Sequence, residues 1–169
     1  YGTIEALVPK NGNILGLGCG YGFLDFILAW KQPQRQILGL DYDEEKINVA
    51  LNNVSKTDNV HFIAGDALQF PTDKSYDAIL LMDVLHYLPK EKQDALINRC
   101  IQYLNPGGVF IVRDGWAEFQ KKHKGTLLSE FFSTKVFGFN KTENELHFIS
   151  GEMLKQWAVQ HHLAMRTVH

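Results

Sequence analysis

Short apolar runs alternate with longer segments of helical periodicity through most of this chain. The apolar runs have the length of β-strands and lie at residues 13–17, 36–40, 60–64, 76–82 and 109–113. The segments with apolar residues at helical spacing lie at 23–31, 44–53 and 90–104. Strands that are apolar throughout and alternate with helices predict a parallel sheet covered on both faces. The expected fold is therefore α/β, a Rossmann-like, doubly wound and mostly parallel sheet with helices on both faces.

The chain has 169 residues, the length of one domain with a single core. It divides into a core at 11–114, an insertion at 115–148 and a closing part at 149–168. The insertion is rich in aromatic residues and follows the fifth predicted strand, so it either roofs a substrate pocket or packs onto the sheet. The closing part predicts a helix over 150–162 and a sixth strand over 163–168.

Charge and cysteine content argue against several classes of protein. Lys and Arg number 17 against 19 Asp and Glu, whereas a protein that follows a phosphate backbone normally has a basic excess, so no nucleic-acid partner is expected. Cys19 and Cys100 lie far apart, which argues against a disulfide framework or a structural zinc site.

No apolar run approaches the roughly 18 residues of a membrane span. No secretory signal is visible, so a cytoplasmic location is expected.

A glycine-rich turn, Gly16-Leu-Gly-Cys-Gly-Tyr-Gly22, joins the first predicted strand to the first helix. Glycines let the backbone approach a ligand closely, and the helix N-terminus offers free N–H groups to it. The dinucleotide fingerprint G-x-G-x-x-G would need glycine at Tyr21 or Phe23. The spacing G-x-G-x-G therefore argues against a nicotinamide dehydrogenase, and the lysine of a phosphate loop is missing too.

Acidic and aromatic residues follow the next two predicted strands. Asp41 ends the second strand, Tyr42 comes directly after it, and Asp66 follows the third. A carboxylate at 41 can accept hydrogen bonds from both hydroxyls of a ribose. Asp66 can accept from an adenine amino group, and Tyr42 can lie along the base. Together with the glycine turn, these residues predict a ligand that contains adenosine.

Five segments carry a resemblance to a known family: 14–22 (ILGLGCGYG), 38–43 (LGLDYD), 65–67 (GDA), 76–86 (YDAILLMDVLH) and 104–110 (LNPGGVF). In this order they resemble the motifs of class I S-adenosylmethionine-dependent methyltransferases. The nearest group is the small-molecule one that includes quinone-biosynthesis enzymes. The resemblance implies an enzyme that moves a methyl group from S-adenosylmethionine to a small, partly apolar acceptor and releases S-adenosylhomocysteine.

The resemblance also implies which residues hold this cofactor. Backbone groups of the glycine turn are expected to meet the methionine moiety, and a methionine at the end of the fourth strand to flank the sulfonium. The acids and the tyrosine keep the adenosine roles given above, with an alanine beside Asp66 at the adenine edge. The predicted cofactor-binding residues are Gly18, Cys19, Gly20, Asp41, Tyr42, Asp66, Ala67 and Met82.

Residues after the fourth predicted strand face the transferred methyl group in this family. His86 is the predicted general base, because an imidazole ordinarily titrates near pH 6.5 and suits proton removal at neutral pH. The alternative is that it caps the following turn or pairs with a backbone carbonyl. Arg113 and Asp114 end the fifth strand and either bind a polar substrate group or pair with each other. The predicted substrate-contacting residues are Asp83, Tyr87, Arg113, Trp116 and His147.

Two departures from the family pattern bear on function. The family usually has Asp or Glu where this chain has Gly16, and that acid helps to anchor the cationic methionine end of the cofactor. A weaker anchor is therefore expected, and Gly16→Asp is expected to tighten cofactor binding if the first strand accepts a side chain there without a clash. If it does not, glycine is needed there for packing and the cofactor amine has another partner. The sequence also ends after the sixth predicted strand, where the family adds a seventh. Both departures leave open an alternative, a fragmentary or degenerate cofactor-binding module of a larger protein without catalysis. No metal is expected, because Asp114-Gly115 stands where metal-dependent relatives have Asp-Asn.

Overall fold

The computed structural model describes residues 1–115 and 146–168, and in this part of the chain strands alternate with helices. The strands are β1 (Gly12–Leu17), β2 (Arg35–Asp41), β3 (Val60–Ala64), β4 (Tyr76–Met82) and β5 (Leu104–Arg113). The helices are α1 (Gly2–Leu7), α2 (Phe23–Lys31), α3 (Glu44–Leu51), α4 (Lys90–Gln102) and α5 (Gly151–Gln160). Single turns of 3₁₀-helix follow β3 and β4, at Ala67–Gln69 and Leu85–Tyr87.

The sheet has the order β3-β2-β1-β4-β5, and every pair of neighbours is parallel. In the central strand β1, Ile14 pairs with Ile37 of β2 on one side and with Ala78 of β4 on the other. The strand order reverses between β1 and β4, so the loops that leave these strands diverge and open a crevice at their carboxyl ends. The predicted Rossmann-like, doubly wound sheet is confirmed.

Apolar side chains fill both faces of the sheet. Neighbouring residues of a strand point to opposite faces, so Ile14 joins one cluster of buried side chains and Leu15 joins the other. Helices α2 and α3 contribute to the first cluster, and α4 and α5 contribute to the second. Because both faces are covered, strands without polar alternation are the ones that suit this sheet.

Arg35, at the start of β2, is fully buried, with 0% of its surface exposed. Its guanidinium donates to the carbonyl oxygens of Val8 at 3.0 Å, Pro9 at 2.7 Å and Leu28 at 3.0 Å. The Glu5 carboxylate also lies 3.3 Å from Nη2 of Arg35. One side chain therefore ties α1, the segment after it and the end of α2 to the sheet, and it donates to carbonyl groups of all three segments.

The bounds of the core elements agree with the sequence predictions. The structure confirms the helix at Phe23–Lys31 and the strands at Val60–Ala64 and Tyr76–Met82. β5 begins at Leu104, earlier than predicted, because Leu104 already pairs with Tyr76 before the chain bulges and regular pairing resumes at Val109. Gly107, with φ of 77°, allows that bulge.

The prediction of a sixth strand over 163–168 is wrong. The closing helix before it is present as α5, and Ser150 caps it by accepting a hydrogen bond from Met153 N at 3.1 Å. His162 then turns the chain at φ of 55°, and residues 163–168 continue exposed and without strand pairing. Apolar and β-branched residues favour a strand only where a neighbouring strand supplies hydrogen bonds and packing.

Most of the predicted insertion at 115–148 lies outside the described residues, and so does Trp116. The described chain after it returns to the sheet, since Ile149 is fully buried in the cluster that contains α4 and α5. Among the described helices, none combines the length and the apolar character needed to cross a membrane.

Arg35→Met is expected to lower the free energy of unfolding by about 3 kcal/mol, because the carbonyl groups of Val8, Pro9 and Leu28 each lose a charged donor. Urea unfolding followed by circular dichroism measures this change. Lys10→Met removes an exposed cation and should change stability by less than about 0.5 kcal/mol. A loss no larger than that of this control would show that the buried guanidinium makes no net contribution.

Candidate functional site

A cleft of about 440 Å³ lies at the carboxyl ends of β1, β2 and β4. The glycine turn after β1, the end of β2 and the turns after β3 and β4 all contribute to its walls. It therefore occupies the place where doubly wound sheets bind their ligands. The predicted cofactor residues that line it are Gly18, Gly20, Asp41, Tyr42, Asp66, Ala67 and Met82.

The glycine turn is held against the end of β2. The N–H groups of Gly18 and Cys19 both donate to the carbonyl oxygen of Leu40, at 2.9 and 3.2 Å. Gly18 has φ of 74°, and a Cβ there would lie 2.6 Å from the carbonyl oxygen of Met82. Any larger residue would collide with the end of β4, so the turn depends on glycine at this position. This part of the cleft is consequently formed by backbone.

Asp41 is the buried carboxylate of the cleft wall, with 8% of its surface exposed. Its Oδ2 accepts from Gly20 N at 2.8 Å, and its Oδ1 accepts from Asp43 N at 3.0 Å. Each oxygen of a carboxylate can accept a further bond, so both keep capacity for a ligand hydroxyl. The ribose contact stays a prediction, and the geometry adds a second role for Asp41 as the group that braces the glycine turn.

The residues predicted to meet adenine lie on the same lining. Asp66 is exposed, and its Oδ1 accepts from Leu68 N at 2.9 Å, which caps the single helical turn after β3. Tyr42 is half exposed next to Asp41. Lys46 of α3 also lines the cleft and has no counterpart among the sequence predictions. The sequence alone does not show that Lys46 faces the cleft, because this depends on how α3 packs against the sheet.

The turn after β4 forms another wall of the cleft, which includes Asp83 and Tyr87. Asp83 has φ of 55°, a left-handed conformation that Asp and Asn adopt more readily than most residues. Its carboxylate forms an ion pair with Arg113, and both side chains are about half exposed. The alternative in which Arg113 pairs with Asp114 is therefore wrong, since Arg113 binds across to β4.

Asp114 instead ties the end of β5 to the turn after β4. Its carboxylate accepts from the N–H groups of Leu85 and Gly115, each at 2.8 Å. Its Oδ1 also lies 2.6 Å from Nδ1 of His86. A carboxylate accepts from Nδ1–H, which leaves Nε2 as the basic nitrogen of a neutral imidazole. Asp114 thus orients the ring of the predicted base.

His86 itself is only 3% exposed and does not belong to the described lining of the cleft. Its ring stacks on Phe148, with 5.6 Å between centroids, and contacts Tyr87 at 4.0 Å. His147 N donates to the carbonyl oxygen of His86 at 2.7 Å, while the His147 side chain is exposed and off the described lining. The predicted base thus lies next to Tyr87 rather than on the cleft wall.

A smaller cavity of about 80 Å³ adjoins the cleft, and both are lined by Gly18 and Met82. Cys19 and Arg113 line this cavity and not the larger cleft. Burial raises the pKa of the Cys19 thiol far above its ordinary value, and the carboxyl of Asp25 adds to the effect. The thiol therefore stays neutral and is not a nucleophile at neutral pH.

Asp25 of α2 also lines the smaller cavity, and sequence analysis gives no signal for it. It is 2% exposed, and its Oδ1 has no hydrogen-bond partner in the described part of the chain. A Cβ on Gly16 would lie 2.5 Å from that oxygen. The expectation for Gly16→Asp was conditional on a side chain fitting at position 16, and here the new side chain would meet the carboxyl of Asp25, which would have to shift.

Comparison with known proteins identifies the family. The methyltransferase domain model matches residues 9–160. The tRNA N(3)-cytidine methyltransferase METTL2 of Danio rerio is 32% identical over 151 residues, which cover 79% of this chain and 42% of that protein. The trans-aconitate 2-methyltransferase of Deinococcus radiodurans is 28% identical over 141 residues, which cover 82% of this chain and 52% of that protein.

A solved structure supports the same fold. PKMT2 from Rickettsia typhi, in complex with AdoHcy, aligns with a TM-score of 0.68 and 20% identity over 95% of this chain and 41% of its own. The chain spans about half, or less, of the length of these three proteins. It belongs to the methyltransferase domain family, within the class I S-adenosylmethionine-dependent methyltransferases, which confirms the resemblance. S-adenosylmethionine is the cofactor of this family. The glycine turn, where a Cβ on Gly18 would lie 2.6 Å from the carbonyl oxygen of Met82, and the carboxylate of Asp41 fit this cofactor.

Asp41→Ala is expected to weaken the binding of S-adenosylhomocysteine about tenfold or more. The variant loses a charge-assisted acceptor for the ribose, worth roughly 1.5–3 kcal/mol, and also the brace on Gly20. Isothermal titration calorimetry measures the dissociation constant. Asp58→Ala removes an exposed carboxylate away from the cleft and serves as the charge-matched control. Affinity equal to that of the control would remove Asp41 from the binding site.

Proposed function

We propose that this chain transfers the methyl group of S-adenosylmethionine to a small, partly apolar acceptor. Support for the acceptor class comes from the wall after β4, where Met82, Val84, Tyr87 and Leu88 present apolar surface beside Asp83. An apolar body with one polar group fits such a wall, because burial of apolar surface supplies affinity and a single polar contact fixes orientation.

The charges of the cleft favour a small acceptor over a nucleic acid. The described lining contains three aspartates, Asp41, Asp66 and Asp83, against one lysine, Lys46. A lining of this sign repels a phosphate backbone, which basic side chains normally bind. The names of the relatives point both ways, since one is a tRNA methyltransferase and the other acts on trans-aconitate. The charge of the lining argues against the tRNA backbone and against a polycarboxylate alike, so it favours a small acceptor without several negative charges.

The bound cofactor supplies a methyl group on a sulfonium, a good leaving group, so the transfer is an in-line displacement. The protein mainly aligns the acceptor and excludes water. In this proposal Asp41 and the glycine turn hold the adenosine and methionine ends, and the turn after β4 positions the acceptor. For an oxygen or carbon acceptor, His86 is the proposed base, with Asp114 holding its ring in the tautomer that leaves Nε2 basic. Because Nε2 is buried and off the described lining, the proposal requires the turn at Leu85–Tyr87 to open this nitrogen to the acceptor.

A methyl-transfer assay tests the acceptor class. The protein is incubated with S-adenosylmethionine carrying a labelled methyl group and with carboxylic acids, phenols and amines of small size, or with total tRNA. Label in at least one small class and none in tRNA is the expected result. Label in tRNA alone would contradict the proposal. Binding of S-adenosylhomocysteine without transfer to any acceptor would favour the alternative, a cofactor-binding module that does not catalyse.

His86→Ala is expected to lower turnover of an acceptor found in this assay by about two to four orders of magnitude, while the cofactor dissociation constant changes less than about threefold. Turnover and cofactor binding are measured on the same preparations. His61→Ala, which removes an exposed histidine on β3, is the control. If cofactor affinity falls and turnover per bound complex does not, His86 only holds the turn in place.

A further inference from the structure

The carboxyl group of Asp25 is buried among apolar neighbours on the inner face of α2. Leu24, Phe26 and Leu28 pack there into the core, and Asp25 is as buried as they are. Burial raises the pKa of Asp25 to about 7. A buried carboxyl is costly unless a donor or a cation complements it. Its Oδ1 has no partner in the residues at 1–115 and 146–168, so this carboxyl is open to a complement from a ligand.

The space for this carboxyl comes from Gly16, in the interior of β1. Gly16 is buried and pairs with Gly39 of β2 and Leu80 of β4. A Cβ on Gly16 would lie 2.5 Å from Oδ1 of Asp25 and 3.5 Å from its Cγ. The helix therefore delivers a carboxyl to the volume that a side chain on the strand would otherwise occupy. Position 16 is the one at which the family pattern has its acid.

The cavity that Asp25 lines has the size of an amino-acid end group, and its charged side chains complement the charges of such a group. Its volume of about 80 Å³ equals roughly three water molecules at about 30 Å³ each. Arg113 is the one described lining side chain that carries a guanidinium or an ammonium. A carboxyl and a guanidinium in one small cavity complement an ammonium and a carboxylate respectively. The cavity also joins the cleft at Gly18 and Met82, so one ligand can occupy both.

We propose that Asp25 binds the α-ammonium group of S-adenosylmethionine, in place of the acid that the family has at position 16. The proposal rests on the assignment of the cleft to the cofactor in the proposed function. Asp25 lines the same cavity as Gly18 and Cys19, whose backbone is expected to meet the methionine moiety. The anchor is thus supplied by a helix rather than by the strand.

The proposal predicts that binding depends on pH. An ammonium pairs with an ionised carboxylate, so a protonated Asp25 must release its proton when the cofactor binds. With a pKa of about 7 in the free protein, affinity rises as the pH increases from about 5.5 to about 7.5. Other groups that face this cavity are the Cys19 thiol, Arg113 and Tyr1, with Asp41 in the adjoining cleft. The thiol stays neutral and the guanidinium stays charged over this range.

The test is calorimetric titration of the wild type and of Asp25→Asn, which keeps the shape and removes the charge. The ligands are S-adenosylhomocysteine and its analogue with hydrogen in place of the α-amino group. The wild type is expected to bind S-adenosylhomocysteine at least about tenfold more tightly than the analogue. The variant is expected to lose at least about tenfold for the natural ligand and less than about threefold for the analogue. Asp58→Asn is the matched surface control and should change neither affinity.

If a folded Asp25→Asn variant loses affinity equally for both ligands, the proposal is overturned and Asp25 is assigned to packing. Unchanged affinities for both ligands would also overturn the proposal. Failure of the wild type to bind either ligand would contradict the cofactor site as well, which distinguishes the two failures. If the variant does not fold, wild-type protein is titrated near pH 6.5 in buffers of different ionisation enthalpy. Greater proton release with S-adenosylhomocysteine than with the analogue supports the proposal, and equal release overturns it.

Discussion

The parallel hydrogen bonding of β1 to β2 on one side and to β4 on the other brings three loop-bearing strand ends to one edge of the sheet. The glycine turn stays there because Leu40 accepts two of its N–H groups and Asp41 accepts a third from Gly20. The carboxyl end of β2 therefore positions the turn after β1, and the same residue, Asp41, places a carboxylate on the cleft wall. A cleft built this way depends on strand register before it depends on any one side chain.

Local patterns in the sequence were enough to predict the elements that are defined by their own residues. The strands at Val60–Ala64 and Tyr76–Met82 and the helix at Phe23–Lys31 follow from hydrophobic periodicity. The cofactor was predicted from the glycine turn, from the acids after the next strands and from the family resemblance. Features that need a distant partner were not predictable. The Asp114–His86 contact joins residues from two strand ends, and the strand over 163–168 failed because no neighbouring strand pairs with it. The sequence did not single out Asp25, because an acid in the first turn of a helix is sufficiently explained by its favourable interaction with the helix dipole.

Two aspartates near the end of β4, Asp83 and Asp114, each pair with a basic side chain. Their contributions to the structure differ because one pair is exposed and the other is buried. Asp83 and Arg113 are half exposed, where an ion pair contributes about 1 kcal/mol or less. The side chain of Asp114 is fully buried, and its carboxylate accepts from the N–H of Leu85 and pairs with His86. The buried carboxylate therefore fixes the shape of this wall, whereas the exposed pair can exchange its partners for polar groups of an acceptor without disturbing the fold.

The shared volume of Gly16 and Asp25 also constrains how such a chain can evolve. Passing from an acid on the strand to an acid on the helix by single substitutions requires an intermediate with two carboxyls in one space, or with none. Either intermediate is unfavourable, so the two positions are expected to change together, and homologous chains would fall into two groups that differ at both. A search pattern that demands an acid on the first strand would then discard every chain of the second group, although the same charge lies within the same few ångströms.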